Sequence, residues 1–172
     1  MGKESEHLGL RIGVISDTHG LLRPEAVAAL HGVDHILHAG DIGGDHIIAE
    51  LRRIAPVTFV RGNNDDDDGY GVARVELGGT RFLITHILPR PDDVRPELRK
   101  LLPKTDVVIF GHSHLPHDEV VDGVKFFNPA SAGPRRFDYP ISLGIIENGR
   151  SAHVALDERS VEALKTRMNQ LR

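Results

Sequence analysis

The sequence predicts an α/β fold in which two mixed β-sheets pack as a sandwich flanked by helices. Three observations lead to it. Strand-like and helix-like segments alternate through the first half of the chain, turn dipeptides separate strand-like runs through the second, and short polar clusters stand at the ends of successive apolar strands. Alternation is the mark of parallel βαβ units, whereas tight turns between alternating runs mark hairpins, so the second half builds a further, mixed sheet against the first.

The elements follow in order. Residues 10–16 form a strand, and residues 24–30 a helix with Pro24 in its first turn, where the missing N–H costs no hydrogen bond. Residues 35–38 are a short strand, 45–54 a helix and 57–61 a strand. Gly78-Gly79, Asp122-Gly123 and Asn148-Gly149 each lie between apolar or alternating runs and have the residue types that two-residue hairpin turns demand. A helix is expected between residues 91 and 102. Residues 157–171 read as a closing helix with Asp157 as its N-cap.

At 172 residues and 40% apolar side chains, the chain can bury one core but not two, so a single domain over residues 1–172 is expected, with residues 1–9 as an extension whose order is left open. No cysteine is present to form disulfides or thiolate metal sites. There is no apolar run of membrane-spanning length and no apolar leader in residues 1–7, which gives cytoplasmic residence and no membrane partner as the expectation. A net charge of −4 lacks the basic footprint of a general nucleic-acid binder. Homo-oligomerisation stays open.

The polar clusters carry the chemistry. They are Asp17-Thr18-His19-Gly20, Gly40-Asp41, Gly62-Asn63-Asn64-Asp65, His86 and Gly111-His112-Ser113-His114, each directly after an apolar segment. One histidine at a strand end is more often a core or loop residue than a ligand. Five clusters are different, because an open α/β sheet brings the carboxyl ends of its strands together and residues distant in sequence converge there. Carboxylate, amide and imidazole donors suit iron, manganese, zinc, nickel or cobalt. The set reads as a two-metal site.

In this order and spacing, Asp17-x-His19, Gly40-Asp41, Gly62-Asn63-Asn64-Asp65, His86 and Gly111-His112-Ser113-His114 resemble the motifs of the calcineurin-like metallophosphoesterases, in particular their small bacterial and archaeal phosphodiesterase branch. The resemblance runs from Ile12 to about Glu147. It implies that Asp17, His19 and His114 hold one divalent ion, that Asn63, His86 and His112 hold the other, and that Asp41 bridges them, with manganese the leading expectation. Asn64, His86 and His112 are the candidate catalytic residues. Two ions about 3.5–4 Å apart can share a water, lower its pKa and clamp a phosphate for in-line attack, so the implied activity is hydrolysis of a small phosphodiester by a bridging hydroxide. A phosphomonoesterase is an alternative. So is a non-catalytic protein-binding scaffold, since the family's fold recurs in an interaction subunit of the eukaryotic retromer complex in which metal-site residues are partly lost.

Three positions depart from the family pattern: Asn64 stands where many members have His, Ile87 where Gly usually follows the ligand His, and Ala130 where related sequences read Asn-Pro-Gly-Ser. Asn64 cannot titrate usefully near neutrality and so cannot replace an acid. The run Asp66, Asp67 and Asp68 reads as a solvated loop that would repel polyanions, while Asp65 matches the family motif and could orient a neighbouring ligand. His38 is assigned either to the core or to support of the site. Arg135 and Arg136 are read as solvated, and His7, His31, His35, His46, His117 and His153 as structural or surface residues.

Overall fold

The computed structural model of the chain describes residues 9–88 and 100–171. The first sheet has the order β10-β9-β1-β2-β3, built from Arg150–Ala155, Ser142–Glu147, Arg11–Ile15, His35–His38 and Val57–Phe59. The second has the order β4-β5-β6-β8-β7, from Val72–Leu77, Thr80–Thr85, Val107–Ile109, Val124–Pro129 and Pro116–Val121. Parallel pairing links β1 to β2, β2 to β3, β5 to β6 and β6 to β8, and the remaining pairs are antiparallel. Both sheets are therefore mixed, as the sequence predicts.

Strand periodicity sorts the apolar residues into layers. Ile12 and Val14 of β1 face the second sheet, where they meet Phe82, Ile84, Val107, Ile109 and Phe127 in the inter-sheet core. Ile15 faces the other way, into a cluster with Ala26 and Leu30 on the α1 side and Ile47, Ile48 and Leu51 of α2. Here α1 is Pro24–Ala29 and α2 is Asp45–Arg52. Leu83 and Val108 face outward from the second sheet toward Leu101 and Leu102. The helix expected over residues 91–102 lies outside the described residues except at its end, which runs into a 3₁₀ turn at Leu102–Lys104. The extension over residues 1–9 likewise lies outside them, apart from Gly9.

All three hairpins have the backbone their sequences demand. Gly78 and Gly79, Asp122 and Gly123, and Asn148 and Gly149 all have positive φ, the paired left-handed geometry that matches the twist of the flanking strands. The closing helix α3 is Glu158–Gln170, capped by the Asp157 side chain on Ser160 N–H. It lies against β7 and β10, the edge strands of the two sheets. Covering edges in this way protects unpaired backbone groups from other chains. On the same side, Lys125 of β8 bonds both Asp118 of β7 and Ser151 of β10, tying one sheet to the other.

Candidate metal centre

Strands β1, β2, β3, β5 and β6 each end with one of the polar clusters, and the two sheets bring those ends together. Asp17, His19 and His114 form one compact group; Asp41, His86 and His112 form a second. In the first, His114 Nε2 lies 3.2 Å from Asp17 Oδ1 and 3.4 Å from His19 Nε2. In the second, Asn63 Oδ1 lies 3.0 Å from His86 Nε2 and 3.2 Å from His112 Nδ1. Asp41 Oδ2 faces both groups, at 3.3 Å from His86 Nε2 and 3.7 Å from His19 Nε2.

These spacings fit cations. Donors about 2.1 Å from one ion in tetrahedral array stand about 3.4 Å from each other. Asp17 Oδ1 supplies an independent sign: it is buried without a hydrogen-bond partner among the described residues, a costly state for a carboxylate oxygen unless a cation takes its lone pair. The donor set itself, carboxylate, amide oxygen and imidazole, is suited to divalent transition metals.

Five of the seven ligand candidates have left-handed backbone: Asp17, His19, Asp41, His112 and His114, with φ from 46° to 70°. Asp and His tolerate this region better than most residues, but it still costs about 1–2 kcal/mol per residue. The conformation turns the chain sharply as it leaves each strand, so that His112 and His114 both reach the centre from one short loop. Clustering of strained backbone where the donors converge is what a functional site leads one to expect.

Hydrogen bonds hold the donors in place. Ser16 Oγ donates to Asp17 Oδ2 at 2.6 Å, and His112 N–H reaches the same oxygen at 3.2 Å. His86 Nδ1 donates to the Ala39 carbonyl at 2.7 Å, which leaves Nε2 as the free lone pair facing Asp41 and Asn63. Ile87 does not spoil that aim. Its N–H bonds Gly69 O and its side chain packs on Gly69, so it secures the neighbouring loop. Asn64 donates both its backbone N–H and its side-chain amide to Asp41, at 2.9 and 3.0 Å.

Asp65 joins two ligand loops. Its carboxylate accepts N–H bonds from Ile42, Gly43 and Gly62 at 2.8–2.9 Å, fixing the segments that carry Asp41 and Asn63. A Cβ at Gly62 would collide with Asp41, so only glycine permits this approach. Burial raises the Asp65 pKa, but the three N–H donors outweigh it and hold the carboxyl below its ordinary value. Asp66, Asp67 and Asp68 are exposed, and the last two bond the N–H groups of Gly69 and Tyr70.

His38 belongs to the support of the site. It is fully buried; Gly40 N–H donates to its Nδ1, so Nε2 carries the proton and donates to Thr18 Oγ1, whose hydroxyl donates to Ile42 O. This chain of bonds links the Asp17-Thr18-His19 loop to the Asp41 loop. Burial lowers the pKa of His38 to about 4 and keeps it neutral.

Electrostatics separates the ligand histidines. Burial disfavours charge on His86, yet its hydrogen bond to Asp41 and the charge of Asp17 raise its pKa overall. Burial lowers the pKa of His19, Asp17 and Asp41 oppose it, and Arg136 adds to the lowering. Asp41 is also caught between effects: burial raises its pKa, while His86 and the two Asn64 donors bring it well below the carboxylate norm.

Asn128 and Ser131, on either side of the departure at Ala130, support the site. Asn128 donates to Gly111 O and Ser113 Oγ, at 3.0 and 3.2 Å, bracing the loop of His112 and His114. Ser131 Oγ donates to Asp17 O at 3.0 Å. The signal available in the sequence is an Asn-Pro pair at a strand end, which marks a turn without saying what it braces.

Comparison with known proteins agrees with the architecture. Residues 10–150 match the calcineurin-like phosphoesterase superfamily domain. A probable metallophosphoesterase of Methanothermobacter thermautotrophicus is 37% identical over 139 residues, covering 75% of this chain and 81% of that protein. Among solved structures, an archaeal phosphodiesterase superposes with TM-score 0.67 at 25% identity, over 85% of this chain and 99% of that one. The wild-type Vps29 of Entamoeba histolytica, complexed with zinc, superposes with TM-score 0.65 at 20% identity, over 86% and 100%. The chain belongs to the calcineurin-like phosphoesterase superfamily. The family uses divalent metals, and the two groups around Asp17 and Asp41 are candidate ligands for them.

Proposed function

We propose that this chain, acting as one domain over residues 1–172, is a metal-dependent phosphodiesterase that hydrolyses a small phosphodiester. The observation that carries the reading is the convergence of two donor groups on a shared Asp41 carboxylate, at 3.3 and 3.7 Å from a histidine of each group. Asp17, His19 and His114 would hold one cation, Asn63, His86 and His112 the other, and Asp41 both, with manganese favoured. Two such cations supply Lewis acidity that lowers the pKa of a water and neutralises charge on the phosphate. The protein's own part is to aim Nε2 of His86 through the bond of its Nδ1 to Ala39 O, to fix Asp41 through Asn64, and to hold both loops through Asp65. Asn64 stands beside Asp41, where its amide can turn to donate to a phosphate oxygen but cannot protonate a leaving group.

The membrane is not a partner in this reading: no helix among the described residues is long and apolar enough to cross one. Nucleic acid is disfavoured by the net charge of −4. Residence in the cytoplasm belongs to the same proposal, and homo-oligomerisation stays open. A second reading, a protein-binding scaffold, draws on the fold shared with Vps29, whose zinc complex makes metal binding alone a poor discriminator. Turnover discriminates. The protein reconstituted with manganese should bind two ions per chain and hydrolyse aryl diesters in a panel that also holds cyclic nucleotides, monoesters and short oligonucleotides. Two bound ions with no turnover of any member would favour the scaffold; one ion or none would sink the dinuclear centre.

A further inference from the structure

We propose that β4 is a homodimer interface, in which Val72–Leu77 pairs antiparallel with the same strand of a second copy, Val75 lying opposite the partner's Val75. This interface does not depend on the reaction performed at the metal centre.

The four sheet edges are treated differently. β7 and β10 lie under α3. β3 has only three residues, and Arg52 and Arg61 stand over the Phe59 ring at 6.0 and 5.8 Å, so a short edge is flanked by charge. β4 is the remaining edge, six residues long, without proline or lysine and without a bulge in its register with β5. The hairpin decides which of its backbone groups are free. The two-residue Gly78-Gly79 turn closes on Leu77 and Thr80 as a hydrogen-bonded pair, and such pairs alternate along an antiparallel ladder. Ala73, Val75 and Leu77 therefore direct their N–H and C=O at β5, while those of Val72, Arg74 and Glu76 point outward in the plane of the sheet. Among the described residues no backbone hydrogen bond reaches that outer side.

Charge selects the occupant and the register. Two copies of β4 can pair only where free groups meet free groups. With Val75 at the centre, Arg74 lies opposite the partner's Glu76, and symmetry repeats the pair. A shift of two residues one way sets Arg74 opposite the partner's Arg74, and the other way Glu76 opposite the partner's Glu76, so both alternatives oppose like charges. Arg74 and Glu76 are exposed, and Glu76 already lies across from Arg81 of β5, whose charge it stabilises. The outer face would then alternate in sign from Arg81 through Glu76 to the partner's Arg74. On the inner face, Ala73, Val75 and Leu77 border the inter-sheet core and would carry its apolar seam into the second copy. Val72 pairs with Thr85, next to His86, so β4 starts at the metal end; antiparallel pairing sets the two centres at opposite ends and leaves both open.

Sedimentation equilibrium of the full chain, diluted through the micromolar range, should show a monomer–dimer equilibrium, weak because one strand pair is a small interface. Arg74→Glu and Glu76→Arg should each weaken it about tenfold, since each turns two attractive pairs repulsive, and the double reversal should restore it. Register is read separately. In a non-hydrogen-bonded pair the Cα atoms stand about 4.5 Å apart, within disulfide reach, and the chain has no cysteine of its own. Val75→Cys should therefore give a disulfide-linked dimer with oxidised glutathione, which is reduced as the two thiols join. Ala73→Cys alone should not, whereas its mixture with Leu77→Cys should. Unaltered circular dichroism and metal binding are the expected controls. A chain that stays monomeric at every concentration, a dimer indifferent to charge reversal, or failure of Val75→Cys to crosslink would overturn the interface.

Discussion

Replacing Asp65 with Asn tests whether one carboxylate fastens the two loops on which Asp41 and Asn63 stand. Asp65 accepts from Ile42 and Gly62 through Oδ2 and from Gly43 through Oδ1, at 2.8, 2.9 and 2.9 Å. An amide keeps one acceptor oxygen and turns an NH₂ toward the remaining donor. At least one charge-assisted bond is lost, worth about 1.5–3 kcal/mol, and the surviving bonds weaken with the loss of charge. Partial exposure of the site offsets some of this, so a destabilisation of about 2–3 kcal/mol at pH 7 is expected. In a chain of this size that corresponds to a fall in Tm of about 5–10 °C. The gap should narrow on acidification. The folded Asp65 pKa lies below the ordinary value, so its contribution is complete above the unfolded pKa and disappears as pH falls through the folded one. Urea unfolding of the metal-free parent and variant, followed by circular dichroism from pH 7 downward, measures both effects. Metal titration should show the looser loops as a loss of affinity of about 10–100-fold. Coincident urea midpoints with equal slopes, together with equal metal affinity, would refute the clamp.

Three other outcomes are expected. His38 is held neutral with a pKa near 4, so the unfolded chain takes up its proton first; stability should fall by about 3 kcal/mol as pH drops from about 6.5 toward 4, and His38→Gln should flatten that part of a pH–Tm profile. Ala130 is buried at φ 64°, the left-handed region that costs a side-chain-bearing residue about 1–2 kcal/mol, so Ala130→Gly should stabilise by about 1 kcal/mol in urea unfolding, and a loss of stability would show that the strain is absent. Without a general acid, whose help is typically about 10²–10⁴-fold, rates should fall steeply with leaving-group pKa; Asn64→His should flatten that slope in a series of aryl diesters, and parallel slopes would mean that another residue donates the proton.

Much of this molecule is legible in its sequence because the legible parts are local. Each hairpin announces itself in two residues with positive φ, and Asp157 announces the helix it caps. The candidate donors, too, can be picked out, as the polar residues directly after each apolar run. Sheet order is another matter, since β9 pairs with β1 across most of the chain and nothing in Ser142–Glu147 names that partner. The position of α3 along two sheet edges is equally hidden, because an amphipathic helix specifies the face it buries and not the surface that receives it. Asp65 shows the limit within the site. The sequence marks it as acidic and near a ligand, but its three N–H donors come from backbone, which carries no residue-type signal.

The donors are divided between the sheets, with Asp17, His19, Asp41 and Asn63 after strands of one and His86, His112 and His114 after strands of the other. That division sets an order of events for a chain emerging from the ribosome. The last candidate donor is residue 114, whereas β9, which pairs with β1, and β10 beyond it are not made until residues 142–155. A nascent chain thus carries every candidate ligand before the sheet that positions four of the seven is complete. Ions captured early would meet a mobile collection of side chains, and strong retention must await the final strands. Afterwards the same ions would work as rivets across the sandwich, each adding about 2.7 kcal/mol to folding when the free metal exceeds its dissociation constant a hundredfold.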